Sequence, residues 1–318
     1  VEEAEARAST ASYDGFMPQS DGDRSYALDR DELLGDGLKR VAAGRVEQAI
    51  ARLRGIASGE VDQADAVHGA RKDMKKLRTV LRLLCDELPR DLYQEEMQCY
   101  RGAARALSAA RDAEVKLATL DDLVGWTGEL PGEAVEAWRQ ILAREREAAI
   151  NTGADPEEVV DRLEAGLARI EGWRLKGDSW AMIGGTFKRS YRRGRQAMRV
   201  AEKDPSETNF HQWRKRAKDL WYELRLLSGA WSETLDPFAD EAHRLSDLLG
   251  DHHDLAVLRA DLRERRLGEE ETRLLEAAIE ARQTDLAGDA FPLGRRLHAE
   301  RPKAFGRRLR RYWEAWRG

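Results

Sequence analysis

His68, Arg71, Lys75, Arg78 and Arg82 recur at three- and four-residue steps, so a helix over this stretch carries them as one row of nitrogen donors. Val67, Ala70, Met74, Leu77, Leu81 and Leu84 follow the same steps one residue out of phase, about 100° around the helix. They draw its core-facing stripe, and the donor row borders that stripe instead of opposing it. Lys72 and Lys76 widen the row. The device recurs where His211, Arg214, Lys218 and Arg225, with Trp221 in the row and Lys215 beside it, accompany Phe210, Trp213, Ala217, Leu220, Leu224 and Leu227. A third copy sets Lys188, Arg192, Arg195 and Arg199 beside Ile183, Phe187, Tyr191, Gly194 and Met198. Arg307 and Arg311 belong to a basic C-terminal stretch with Arg301, Lys303, Arg308 and Arg310.

A solvated helix face ordinarily mixes signs to gain i,i+4 pairs. These rows put like charges at that spacing, an arrangement that requires anions nearby, either acids of neighbouring helices or a ligand. Arginine offers a planar fork and lysine a mobile point charge, and together they suit phosphate oxygens. A repeating cationic row suits a repeating polyanion. Gly-rich phosphate loops, nucleophile elbows and triad spacings are missing from the sequence, so these residues read as binding groups without a catalytic role and without a cofactor.

The elements that position them follow from composition. With 36% charged and 42% apolar residues, the chain is too polar for a membrane protein and too apolar for a disordered one. Ala, Leu, Arg and Glu dominate and only 8 prolines occur, which predicts an all-α fold. No apolar run approaches the roughly 20 residues needed to cross a bilayer. Cys85 and Cys99 lack C-x-x-C spacing and read as buried thiols of a reducing compartment, so a cytoplasmic protein is expected. The net charge of -5 conceals segregation: acids dominate up to Asp36, whereas Lys188 to Arg199 contains none. A near-neutral total therefore does not argue against an anionic ligand.

Periodicity and punctuation predict a mobile acidic tail over 1–28 and helices from 29 to 318. The helices expected are Leu34 to the Ser58-Gly59 break, Asp65 to Asp86, Leu92 to Leu107, Asp112 to Leu123, one after Pro131-Gly132, and one opened by Asp155-Pro156-Glu157. The rest are Ser179 to Glu202, Ser206 to Ser228, Pro237 to Leu249, Asp254 to Arg266, Glu269 to Ala287 and Pro302 to Trp316. The chain also matches itself: residues 68–84 lie over 211–227 without a gap, aligning His68 with His211, Arg71 with Arg214 and Lys75 with Lys218. Residues 107–115 lie over 249–257, pairing Arg111-Asp112 with His253-Asp254. Two related halves, about 29–172 and 173–318, account for this repeat.

The pattern His-x-x-Arg-x-x-x-Lys-Lys-Leu-Arg from His68, its second copy with Leu220-Trp221-Tyr222, the blocks around Arg111-Asp112 and Leu249-Gly250, and the ending Pro302 to Phe305 with Tyr312-Trp313 resemble the CHAD family, the conserved histidine α-helical domain. The resemblance covers about Asp29 to Trp316. It implies two pseudo-symmetric four-helix bundles with additional helices, a basic channel or groove between them, and inorganic polyphosphate as the ligand. On that basis the protein is expected in the cytoplasm, with polyphosphate granules and their proteins. The family's basic positions carry over to His68, Arg71, Lys75, Lys76, Arg78, His211, Arg214, Lys215 and Lys218. Trp221 stands where an arginine is common and His253 precedes Asp254, departures that imply a weaker hold in the second half.

Two rivals remain. His252-His253-Asp254, with His211 or His243 upstream and Asp285 downstream, could supply a metal-dependent HD-type phosphohydrolase. Against it, the first half carries Arg111 at the place of His253, and arginine is no metal ligand; Asp112 and Asp254 are expected to cap the next helix or to orient a cation. Nucleic acid also presents serial phosphates, but no reading helix or aromatic sheet motif occurs. Trp213, Trp221, Trp313 and Trp316 read as core aromatics.

Overall fold

The computed structural model describes residues 26–318, apart from positions 129, 131, 152, 153, 176 and 266. The acidic segment up to Ser25, Pro131 as a helix start and Arg266 as a helix end lie outside these residues. Among the described residues there are eleven α-helices and no strand. They are α1 (Leu34–Ala57), α2 (Gln63–Leu83), α3 (Arg90–Ala106), α4 (Ser108–Thr127), α5 (Gly132–Asn151) and α6 (Pro156–Glu171). After these come α7 (Ala181–Lys203), α8 (Glu207–Leu226), α9 (Ser232–Arg263), α10 (Glu269–Leu297) and α11 (Pro302–Arg317).

Local chemistry explains most boundaries. The Asp155 carboxylate accepts from the Glu157 amide and Pro156 takes the first turn, so α6 starts where a capped, proline-primed helix must. The Asp62 side chain caps α2 through the Ala64 and Asp65 amides. Gly59, at φ 72°, supplies the left-handed turn beyond α1.

Three boundaries differ from the sequence pattern. Leu107 alone separates α3 from α4, so Asp112 lies inside α4. α9 is unbroken where two helices, Pro237 to Leu249 and Asp254 to Arg266, are expected, so Asp254 is not a helix cap either. Gly250 disfavours a helix by about 1 kcal/mol relative to alanine, yet Leu249, His252 and Leu255 around it are all buried, and that packing outweighs the propensity. α10 continues through Pro292 to Leu297 for a similar reason: Gly294 lets it press against α8, where a Cβ would collide with the Trp213 ring.

α1 packs on α2 and α6, α2 on α3, and α3 on α6. α7, α8, α9 and α10 pack in succession, with α10 returning to α7 and α11 lying along α7. The α4–α5 pair leaves its sequence neighbours and packs along α9 and α10. Asp261 of α9 fastens it, accepting from Lys116 Nζ at 2.7 Å, from Trp138 Nε1 at 3.0 Å and from the Arg265 guanidinium. Burial raises the Asp261 carboxyl, and these three donors outweigh it, bringing the group down to about 2.

Tyr26 and Leu28, which the sequence pattern leaves with the tail, are core residues at 2% exposure. The Tyr26 hydroxyl donates to the Lys76 carbonyl and its ring meets Tyr222 edge-on, while the Leu28 amide donates to the Leu226 carbonyl. Short and flanked by polar residues, this stretch has no periodicity of its own; its burial depends on the crevice that α2 and α8 offer.

Candidate polyanion site

α2 is the helix on which the two groups meet, since it touches α3 and also α4, α7 and α8. Its apolar stripe is buried as the periodicity predicts, with Met74, Leu77 and Leu81 fully covered. The adjacent donor row consequently emerges at the junction with α4 and α8. There Lys75 lies within electrostatic reach of Arg71 and Arg78 on its own helix, of Arg214 on α8 and of Arg111 on α4. Lys218 of α8 answers it, in reach of Arg214 and Lys75. Burial first, and these like charges second, push Lys75 down to about 8 and Lys218 down to about 7. Arg71 and Arg78 shift in the same direction, again chiefly through burial. Among the described residues, the side chains of Lys75, Arg78 and Lys218 have neither a hydrogen bond nor an ion pair.

The surrounding arginines are positioned by backbone and carboxylate oxygens. Arg71 Nη1 donates to the Ala104 carbonyl at 2.7 Å, and its Nη2 lies 3.7 Å from Asp112. Arg214 lies across Gly250 of α9, where the missing side chain makes room, and its Nη1 donates to Asp254 at 3.4 Å. Asp112 and Asp254 therefore orient a cation, the second of the two roles the sequence allows them. Arg82 donates to Asp219 of α8 at 2.7 Å and to Thr79 at 2.8 Å, linking the two helices. On α9, the exposed Asp247 faces Lys218, Arg214 and Lys72, and local desolvation raises its carboxyl above the usual carboxylate range. Asp251, also exposed, shifts in the same direction through local desolvation and then through Asp254, Asp247 and Asp122.

The histidines stand at the ends of the rows. His68 is exposed and is held down to about 4 by desolvation and by Arg111, Lys75, Lys72 and Lys218. His211 is likewise held down to about 4, with its ring 4.2 Å from that of His253 and Lys215 close by. Both are neutral at pH 7 and present one N–H each. Lys72 lies over the Trp221 ring at 5.9 Å, and Trp221 in turn stacks on His243 at 3.6 Å, so this tryptophan gives the row an aromatic wall.

Other residues of the rows lie elsewhere. Lys76 is 5% exposed and covers the Tyr26 ring at 5.0 Å, and Arg225 is engaged by Asp236 and Asp240. The α7 row points away from the junction: Lys188 packs against Gly306 of α11, Arg195 donates to the Glu300 carbonyl, and Arg192 and Arg199 share that face. Arg307 and Arg311 are exposed on α11. Sequence reasoning placed all of these among the binding residues, Arg307 and Arg311 through the basic C-terminal stretch and the others through the donor rows, but could not tell which way each helix turns them. It left out Arg111, Arg101 and Arg193, of which Arg101 acts on Arg78, and Arg101 and Arg193 both act on Tyr93 beside Arg82. The Arg111-Asp112 block of the repeat was the available signal for the first; nothing local marks the other two.

The residues of the HD-type reading do not gather around one point. His252 is buried and stacked on Phe210 at 4.0 Å, His243 on Trp221, and Asp285 pairs with Arg282. Among the described residues no group of three or more His, Cys, Asp or Glu is arranged to hold a metal ion. Trp213, Trp221 and Trp313 are core residues and Trp316 packs against the core.

Fold and site together define an all-helical protein in which two cationic helix faces meet over a partly dehydrated junction. The chain belongs to the CHAD domain family, whose model matches residues 40–263. It is similar in structure to the CHAD domain from the plant Ricinus communis, with a TM-score of 0.66 and 21% identity over 88% of this chain and 96% of that one. It is also similar to PptA from Streptomyces chartreusis, with a TM-score of 0.60 and 13% identity over 83% of this chain and 99% of that one. No curated protein matches the sequence. Among the described residues no helix is long and apolar enough to cross a membrane.

Proposed function

We propose that the protein binds inorganic polyphosphate, running the chain along the junction of α2, α4 and α8 and leaving it uncleaved. The observation that carries this reading is the convergence of Lys75, Arg78 and Lys218, three half-buried cations whose side chains make no ion pair among the described residues, although Asp247 and Asp254 lie within electrostatic reach of Lys218 and Asp219 of Arg78. Burying unpaired charge is costly, and an anion with several phosphates in series relieves that cost at every position. The internal repeat supports a ligand shared by both halves. Residues paired by the alignment make equivalent contacts: Arg71 with Asp112 and Arg214 with Asp254, and His68 beside Arg111 as His211 is beside His253. On this reading a chain spanning both copies lies in a basic channel or groove between related halves, and the family's ligand implies polyphosphate granules in the cytoplasm as the setting. Among the described residues the surrounding side chains are cations, the carboxylates that orient them, neutral histidines and Trp221, a set suited to holding phosphate.

A titration with long-chain polyphosphate, triphosphate and single-stranded DNA at two salt concentrations tests the reading. Long chains are expected to bind most tightly, with an affinity that falls steeply as salt rises. Equal affinity for all three would overturn it, as would metal-dependent release of orthophosphate that is lost on changing His253 or Asp254.

A further inference from the structure

Away from the junction, α7 and α11 carry a second cationic surface. Lys188, Arg192 and Arg199 of α7 and Lys303, Arg307 and Arg311 of α11 are exposed, and among the described residues none of the six has an ion pair. The acids nearest in sequence are already engaged: Glu202 pairs with Arg295, Glu300 with Arg308 and Glu314 with Arg310. The two helices are packed together, Tyr191 stacking on Phe305 at 3.9 Å and Gly306 lying against the Lys188 stem, so their cations form one face. Further cations lead from the junction toward α7. Arg78 is in reach of Arg82 and Arg101; Arg82, Arg101 and Arg193 gather near Tyr93; and Arg193 is the neighbour of Arg192 on α7.

We infer that the α7–α11 face is an outer continuation of the binding track, occupied by the part of a long polyphosphate chain that extends past the junction and reached through Arg101 and Arg193. This rests on the reading that the junction binds polyphosphate. Exposed cations whose neighbouring acids are already engaged lose little by pairing with a flexible anion and release counterions when they do so. A chain already held at the junction presents its next phosphates to this face at a high effective concentration, which turns weak single contacts into a length-dependent gain. A triphosphate held at the junction does not extend far enough to gain from it.

The test compares R192A/R199A with R144A/R146A, a variant of equal charge change on exposed arginines of α5. Each is titrated with triphosphate and with long-chain polyphosphate over a range of salt. R192A/R199A is expected to bind triphosphate like the parent protein but to lose about tenfold or more in affinity for the long chain. The slope of log affinity against log salt should fall by about 1.4, as expected when two phosphate contacts to a single-stranded polyanion are removed at about 0.7 each. R144A/R146A should leave both ligands unaffected. Unchanged long-chain affinity and slope in R192A/R199A overturn the outer track while leaving the junction intact, and equal losses in the two variants reduce the effect to net charge, which also overturns it. If the parent protein binds neither ligand, the junction reading fails as well.

Discussion

Lys75 and Lys218 concentrate the chemistry of the site because both are lysines that hold their protons weakly. With Lys218 at about 7 and Lys75 at about 8, the folded protein binds fewer protons than the unfolded chain between roughly pH 7 and 10, so these two groups favour the fold increasingly as pH rises through that window. A polyanion reverses their preference by stabilising the charged form. Binding near pH 8 is therefore expected to take up on the order of one proton per complex, and calorimetry in buffers of different ionisation enthalpy measures it. Affinity should fall as pH rises through 7 to 9, and Lys218→Arg should keep binding while removing much of the proton uptake; affinity independent of pH would count against a role for these lysines. Truncation discriminates between residues too. Arg71 holds the Ala104 carbonyl, so Arg71→Ala removes a structural hydrogen bond along with a binding charge, at a cost to stability of about 1 kcal/mol. Lys75→Ala with Lys218→Ala removes two unpaired charges instead. That pair is expected to weaken polyphosphate binding at least a hundredfold, at about 1.5 to 3 kcal/mol per charge-assisted contact, with no loss of thermal stability.

Among the elements, α9 serves the core, the site and the docking of another helix pair at once. One face supplies Leu245, Leu249 and Leu258 to the core, another sets Asp247 and Asp254 against the cations of α8, and its last turns hold the α4–α5 pair through Asp261. Asp261→Ala leaves Lys116 and the Trp138 N–H without their acceptor, and breaking a buried pair in this way costs about 3 kcal/mol. Denaturant unfolding is expected to show that loss. Because α4 carries Arg111, loosening it should also weaken polyphosphate binding, and retention of full affinity in Asp261→Ala would show that α4 is dispensable to the site. The pH sign is the same as for the lysines, since a value depressed in the fold favours folding as pH rises, but the window lies far lower. With Asp261 at about 2 in the fold against about 4 in an unfolded chain, its contribution is complete above pH 4 and is lost as pH falls from 4 to 2. Asp261→Asn should therefore flatten the acid limb of a stability profile.

For the molecule as a whole, the net charge of -5 sets the terms of recognition. An acidic protein with a narrow cationic junction repels a bulky polyanion at long range while admitting a slender one. Duplex DNA is accordingly expected to bind far more weakly than single-chain polyphosphate at equal phosphate concentration, and comparable affinities would favour nucleic acid as the ligand. How much of this was written in the sequence depends on whether the signal is local. Helix identity, caps such as Asp155 and the one-residue offset between Met74-Leu77-Leu81 and Lys75-Arg78-Arg82 follow from side chains a turn apart, and composition and period carry them. That offset already made the donor row a border of the core, because burying the apolar stripe leaves the adjacent row at its edge. The sequence could not say what lies across that edge. Lys218 rather than solvent meets Lys75, the α7 row turns toward α11, Lys76 ends under Tyr26, and the α4–α5 pair crosses to α9. These outcomes depend on how helices distant in the chain dock, and docking is decided by the summed packing of many residues on each face, a quantity that no single period or spacing contains.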